Sequence, residues 1–153
     1  IALIKEVIKE KKIHTLWFEA HYMYRKKLAF FAEQFAPAKV KFRCGVETFD
    51  TALRETWKKG IPSSVSVQDI AQHFQGICLL CCTQGETKEH ILKDIELAKA
   101  HFEYFSVNVF CDNHTPIKQD KELASWFAKE IYPMIKDDPR IEVLMENTDL
   151  GVG

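Results

Sequence analysis

No apolar run in this 153-residue chain approaches the roughly 20 residues that a membrane-spanning helix needs, and Ile1-Ala2-Leu3-Ile4-Lys5-Glu6 lacks the layout of a signal peptide. The expectation is a cytoplasmic protein with no membrane partner. Charge of one sign is also lacking. With 21 Lys and Arg against 22 Asp and Glu the formal net charge is -1, and no basic run extends beyond Arg25-Lys26-Lys27. Such a surface has no field to hold a polyanion, so nucleic acid is not an expected partner. There is no G-x-G-x-x-G, no G-x-x-x-x-G-K-[ST] and no G-x-S-x-G, which removes the usual phosphate loops and the nucleophile elbow of open-sheet enzymes. A disulfide framework is missing too: the five cysteines are odd in number and lie mostly within apolar strand patterns, as expected of reduced thiols. Linkers, low-complexity tracts and sequence repeats are absent as well.

The chain is 46% hydrophobic and 28% charged, the composition of a single soluble α/β domain over residues 1–153 with a sizeable core. Hydrophobic period alternates between the values of helix and strand. An amphipathic helix around Ile4, Val7 and Ile8 precedes a strand at 13–18, which exits through Glu19, Ala20 and His21. A helix at 24–34 leads past Pro37 to a strand at 39–46. Asp50 offers an N-cap for a helix at 51–59 that Gly60 terminates. A short helix at 67–74 precedes a strand at 77–82. Thr87 caps a helix whose stripe is Ile91, Ile95, Ala98 and Phe102. A strand at 105–111, one long helix marked by Leu123, Phe127, Ile131 and Met134, and a strand at 141–145 complete the series, which leaves through Asn147, Thr148 and Asp149.

Five strands alternating with helices predict a parallel sheet of βα units. An eight-stranded barrel needs about 250 residues, so the chain is either an open doubly wound sheet or an arc of a (β/α) barrel. An arc leaves two raw edges, to be covered by the remaining part of its own barrel or by a second copy. The start at Ile1 without Met, and the end at Gly151-Val152-Gly153 just past a strand exit, read as a piece of a larger protein.

Three strands end on polar groups: Val40-Lys41-Phe42-Arg43-Cys44-Gly45-Val46-Glu47-Thr48-Phe49-Asp50, Leu79-Leu80-Cys81-Cys82-Thr83-Gln84-Gly85-Glu86-Thr87, and Val107-Asn108-Val109-Phe110-Cys111-Asp112-Asn113. Carboxyl ends of parallel strands are where such folds bind ligands. The run Arg43-Cys44-Gly45-Val46-Glu47-Thr48, with Leu53-Arg54 and Lys58-Lys59-Gly60, resembles the fourth-strand region of radical S-adenosylmethionine (radical SAM) enzymes. Leu79-Leu80 to Gly85-Glu86-Thr87 is similar to their fifth strand and its "GlPGET" loop, and Asp94-Ile95 to Ala98 continues the helix that follows. The resemblance runs from about residue 1 to 149 and covers the carboxyl-terminal part of the family's partial TIM-like barrel.

That resemblance implies S-adenosylmethionine as cofactor, a small-molecule substrate, and a 4Fe-4S cluster in the full-length parent. The cluster generates a 5'-deoxyadenosyl radical that abstracts hydrogen from substrate. The family's Cys-x3-Cys-x2-Cys loop is not in this chain. Cys78, Cys81 and Cys82 are spaced by three and then one within a strand, with Cys78 and Cys82 expected on one face and Cys81 on the other. The fragment alone is therefore expected to be inactive.

Carried over residue by residue, Glu47 would take the ribose hydroxyls, or else act as a helix N-terminal acid. Arg43 would reach the cofactor carboxylate or a substrate anion, or else pair with Glu19. Thr83 and Gly85 would lie against the adenine, with Gln84 where the family has Pro, or form a plain turn capped by Thr87. Asn108 would contact cofactor or satisfy a buried neighbour. Glu19 and His21, at a strand end, and Asp112, Asn113 and His114, at another, would face substrate; the alternatives are a structural histidine and an Asx-type turn before Pro116. The cysteines, and Trp17, Trp57 and Trp126, are otherwise read as core. Two other classes stay open: a stand-alone non-catalytic module binding a nucleotide or small molecule, and an unrelated α/β enzyme.

Overall fold

The computed structural model describes residues 1–146. Five strands, β1 (Thr15–Glu19), β2 (Lys39–Glu47), β3 (Gly76–Cys81), β4 (Tyr104–Val109) and β5 (Ile141–Leu144), form one sheet in the order β1-β2-β3-β4-β5. Every pairing is parallel. The order decides between the two architectures left open by the sequence. A doubly wound sheet reverses direction at a switch point, whereas five strands added in sequence place every crossover on the same face. The sheet is thus a curled half-barrel with its helices outside.

Those helices are α1 (Ala2–Lys11), α2 (Leu28–Glu33), α3 (Thr51–Thr56), α4 (Val67–Ala71), α5 (Lys88–His101), α6 (Lys121–Trp126) and α7 (Tyr132–Ile135). Side-chain parity sorts each strand into two faces. Phe42, Cys44 and Val46 of β2, Ile77, Leu79 and Cys81 of β3, and Phe105 and Val107 of β4 pack outward on Ile70, Ile91, Ile95, Ala98 and Phe127. Caps follow the expected chemistry. Asp50 Oδ1 accepts from Leu53 N at 2.9 Å, Thr87 Oγ1 accepts from His90 N at 3.2 Å, and Ser66 with Asp69 forms a full capping box.

Four elements differ from expectation. The helix expected at 24–34 begins as a 3₁₀ turn, Tyr22–Lys27, which His21 caps by accepting from Met23 N. The helices expected at 51–59 and 67–74 stop at Thr56 and Ala71. The long last helix opens into a π turn at Phe127–Ile131 immediately before Pro133, whose ring cannot fit against a regular α turn.

Cys82 also departs from its expected face. Its φ of +66° breaks the strand's alternation, so its Sγ lies 3.7 Å from that of Cys81 in the outer core instead of beside Cys78 on the inner face. Cys44, Cys78, Cys81 and Cys82 are buried and Cys111 is half-buried. Burial pushes the Cys44 thiol up to about 12 and raises Cys78 and Cys81 as well. Iodoacetamide at pH 8 is therefore expected to label Cys111 alone in the folded protein. Intact-mass spectrometry showing Cys81 or Cys82 modified before unfolding would contradict this packing.

Candidate functional site

The inner face of the half-barrel carries the polar residues. Register stacks them in layers: Glu19, Arg43, Gly76 and Tyr104 at one level, Gly45, Cys78, Ser106 and Glu142 at the next, and Leu80, Asn108 and Leu144 toward the carboxyl ends. Arg43 is placed between two carboxylates, with Nε 3.5 Å from Glu19 Oε2 and Nη1 3.6 Å from Glu142 Oε2. Its guanidinium stays firmly charged: Cys78, Glu19 and Glu142 more than offset the desolvation that opposes it. Tyr104 donates to Glu142 at 2.8 Å, and burial followed by this bond pushes its hydroxyl from 10.0 to about 12. Trp17, expected in the core, instead stands 41% exposed on this face and meets Tyr104 with ring centroids 5.7 Å apart.

Glu47 ends β2 at a register shift after Gly45, with a φ of +68°. A bulge of this kind re-aims a side chain, and a non-glycine residue at positive φ is costly to hold. The conformation is held by a chain of contacts. Lys59 Nζ donates to Glu47 Oε1 at 2.7 Å, while His21 Nε2 meets the Lys59 carbonyl at 2.7 Å. Because His21 Nδ1 accepts from Met23 N, Nε2 carries the proton and donates. His21 thus clamps the segment that carries Lys59, with both ring nitrogens engaged. The carboxylates of Glu47, at the rim, and of Glu19, from the level below, flank Gly45, where a Cβ would lie 3.5 Å and 3.7 Å from their respective Oε1 atoms.

After β3 the chain turns sharply. Thr83, fully buried, donates from N at 2.7 Å and from Oγ1 at 3.1 Å to Glu86 Oε2. Gly85 takes a φ of +94° with nothing within 4 Å of where a Cβ would stand, so the loop presents bare backbone to open space. The loop after β4 folds back on this turn: Gln84 N donates to Lys118 O, Asp120 N donates to Cys82 O, and Thr83 bridges Gln119 antiparallel. Asp112 Oδ1 accepts from Gln119 N at 2.8 Å, and Asn113 Oδ1 accepts from Thr115 N at 2.9 Å in an Asx turn. His114 is exposed on the same loop. Asn147, Thr148 and Asp149 lie outside the described residues.

Two buried acids behind the rim were not singled out from sequence. Burial raises Glu86 from 4.5 to about 7 and Asp94 from 3.8 to about 6, against the hydrogen bonds from Thr83 and from Thr48 and Phe49 that lower them. A carboxyl whose native pKa exceeds its unfolded value binds more protons in the native state. Its contribution to stability is complete below about 4.5 and is lost as pH rises toward 7. Glu86→Gln retains an acceptor for Thr83 and cannot ionise. Its Tm is expected to exceed the wild type's by a few degrees at pH 8 and to match it at pH 4.5, read by differential scanning calorimetry. An equal difference at both pH values would contradict the assignment.

Among the described residues no group of three or more His, Cys, Asp or Glu side chains is arranged to hold a metal ion, so these residues do not fit an iron–sulfur cluster. A nucleoside fits better. Asn108 Oδ1 is buried with no hydrogen-bond partner among the described residues, Gly85 offers open backbone, and Glu47 Oε2 takes no part in the Lys59 pair. Tyr104 and Glu142 are not among the candidates the sequence offers, although the parity of Tyr104, Ser106 and Asn108 already places Tyr104 on the inner face.

A parallel half-barrel with an apolar outer face, a charged inner face and a glycine turn at its rim matches the partial TIM-like barrel that the resemblance to radical SAM enzymes implies. Its particular likeness is to a queuine lyase from Clostridium spiroforme bound to SAM and queuine. That structure superposes with a TM-score of 0.90 at 37% sequence identity, over 99% of this chain and 65% of that one. The chain thus spans less than two thirds of the length of that enzyme. No family model matches the chain, and no curated protein matches it.

Proposed function

We propose that this chain supplies the cofactor- and substrate-facing part of a radical SAM lyase that acts on queuine or a close 7-deazaguanine relative. The observation that carries this reading is the 37% identity to a queuine lyase bound to SAM and queuine, over nearly the whole chain. Bound together with a reduced 4Fe-4S cluster, S-adenosylmethionine supplies hydrogen-abstracting one-electron chemistry. The cluster ligands would lie on residues outside this chain.

The residues at the rim divide the remaining work. Glu47, fixed by Lys59, accepts from the paired ribose hydroxyls. Thr83 and Gly85 lay backbone along the adenine, and Asn108 Oδ1 takes a donor from the cofactor that it lacks within the protein. Arg43, at the level of Gly76 and Tyr104, lies deeper than these and serves the substrate instead of the cofactor. Glu19 lies beside it, and Asp112, Asn113 and His114 border the mouth. The free edges of β1 and β5 are covered by further βα units of the same protein. No helix among the described residues is long and apolar enough to cross a membrane, and a reducing cytosol suits the five free thiols.

The test is anaerobic reconstitution of the full gene product with iron and sulfide, followed by assay for 5'-deoxyadenosine with and without queuine. Queuine-dependent formation of 5'-deoxyadenosine is expected. Formation that is indifferent to queuine would remove the substrate assignment. Nucleoside binding with no cluster and no turnover would favour a non-catalytic binding module.

A further inference from the structure

Below the rim the inner face holds a cavity of about 470 Å³ lined by Trp17, Phe18, Glu19, Arg43, Tyr104 and Glu142. Tyr104 lies four residues before Asn108 on β4, roughly 13 Å lower along the strand at ~3.3 Å per residue. The cavity therefore adjoins the rim at Glu142, which pairs with Ser106 two residues below Asn108, and extends down the lumen from there to Tyr104.

We propose that this cavity is the seat of a 2-amino-4-oxopyrimidine edge, so that a 7-deazaguanine substrate binds base-down with its substituent pointing toward the rim. The inference rests on the queuine reading above and adds which end of the molecule is held, and by which residues.

The chemistry of the lining selects this edge. Glu19 and Glu142 carry two negative charges against the single positive charge of Arg43, which favours a ligand rich in N–H donors. In both pairs the oxygen that meets Arg43 is Oε2, and the Tyr104 hydroxyl donates to that same atom of Glu142. Glu142 Oε1 is thereby left to accept from adjacent ring N–H and amino groups while the carboxylate is held in one orientation. Arg43 meets its partners through Nε and Nη1, and Nη2 contributes to neither pair. It is the complementary donor for the ring carbonyl, the pairing by which arginine reads the guanine O6 edge in other settings. Trp17 and Tyr104, with centroids 5.7 Å apart and planes at 48°, supply an aromatic wall for a flat heterocycle. Lys41 sits over the Trp17 ring and is paired with Glu103, which fixes the indole from below. Glu142 is accordingly a specificity-determining residue, and Tyr104 positions it.

The experiment titrates the full gene product, loaded with S-adenosylmethionine, with two probes: queuine, and 7-deazaguanine, which has the base and no side chain. Wild type is expected to bind both. Glu142→Gln is expected to weaken both by 10- to 100-fold and leave S-adenosylmethionine affinity within twofold. Trp17→Ala, at an exposed position that tolerates truncation, is expected to weaken both by about tenfold. Tyr104→Phe is expected to raise KM for queuine with kcat nearly unchanged, which a merely structural loss would not produce. Failure of wild type to bind 7-deazaguanine, or loss of queuine binding in Glu142→Gln with 7-deazaguanine unaffected, overturns the proposal; the second result would place the substrate's basic amine at Glu142. Binding of 7-deazaguanine without binding of queuine sustains the pocket and removes the queuine reading.

Discussion

Replacing Glu47 with Gln is expected to weaken S-adenosylmethionine binding to the full gene product by 10- to 100-fold with little change in Tm. A carboxylate accepting from two adjacent hydroxyls forms charge-assisted bonds, each stronger than a neutral one, and loss of the charge costs on the order of 1.5–3 kcal/mol. The fold does not rely on that charge to the same degree. Glu47 pairs with Lys59, which is 31% exposed, and a partly solvated pair contributes only about 0–1 kcal/mol. Affinity and stability should therefore separate. Isothermal titration calorimetry with S-adenosylmethionine, beside a thermal melt, reads both. A Tm loss proportionate to the affinity loss would recast Glu47 as a structural anchor, and unchanged affinity would remove it from the cofactor site.

Arg54→Ala is expected to produce the largest loss of stability, about 3–5 kcal/mol, or roughly 10 °C in Tm for a chain of this size. Arg54 is 2% exposed, and its Nη2 donates to the carbonyls of Pro62 at 3.1 Å and Val65 at 3.3 Å. It therefore ties α3 to the segment leading into α4, the same segment that carries Lys59 toward Glu47. Truncation leaves a cavity and two carbonyls without their donor. Desolvation lowers the Arg54 pKa, and Nε has no partner among the described residues, so the buried charge itself is a burden. Arg54→Met, which keeps the volume and removes the charge, should lose about half as much. Urea unfolding of the two variants checks the order. Alanine within about 1 kcal/mol of wild type, or Met worse than Ala, would contradict the role given to Arg54.

Much of the layout was legible in the chain because it depends on local rules. The alternation of periods located all five strands, and Asp50 and Thr87 marked their helix starts by capping chemistry. The strand-end runs at 43–50 and 79–87 carried the family resemblance. What the sequence left open depended on register and on residues in unusual backbone conformations. Whether Trp17 faced the helices or the lumen turns on which parity of β1 lies inside, and the short run 15–19 does not settle that. Glu142 becomes a partner of Arg43 only through two intervening strands. Cys82 and Glu47 leave their strands at positive φ, which breaks the alternation that sequence parity assumes. For His21 the sequence leaves two readings, a substrate-facing group and a structural histidine. Its partner, the Lys59 carbonyl, lies 38 residues away, and backbone acceptors leave no mark in a sequence pattern. The return of residues 118–120 onto the turn at 82–84 was hidden for the same reason.

Hydrogen–deuterium exchange of the full gene product with and without S-adenosylmethionine tests most directly whether the inner rim is the nucleoside site. Slowed exchange at residues 45–48, 83–86 and 107–110, with the outer helix at 121–135 unchanged, is the predicted result. Saturating cofactor that leaves those three strand ends unprotected, or protects only the outer helices, would contradict it.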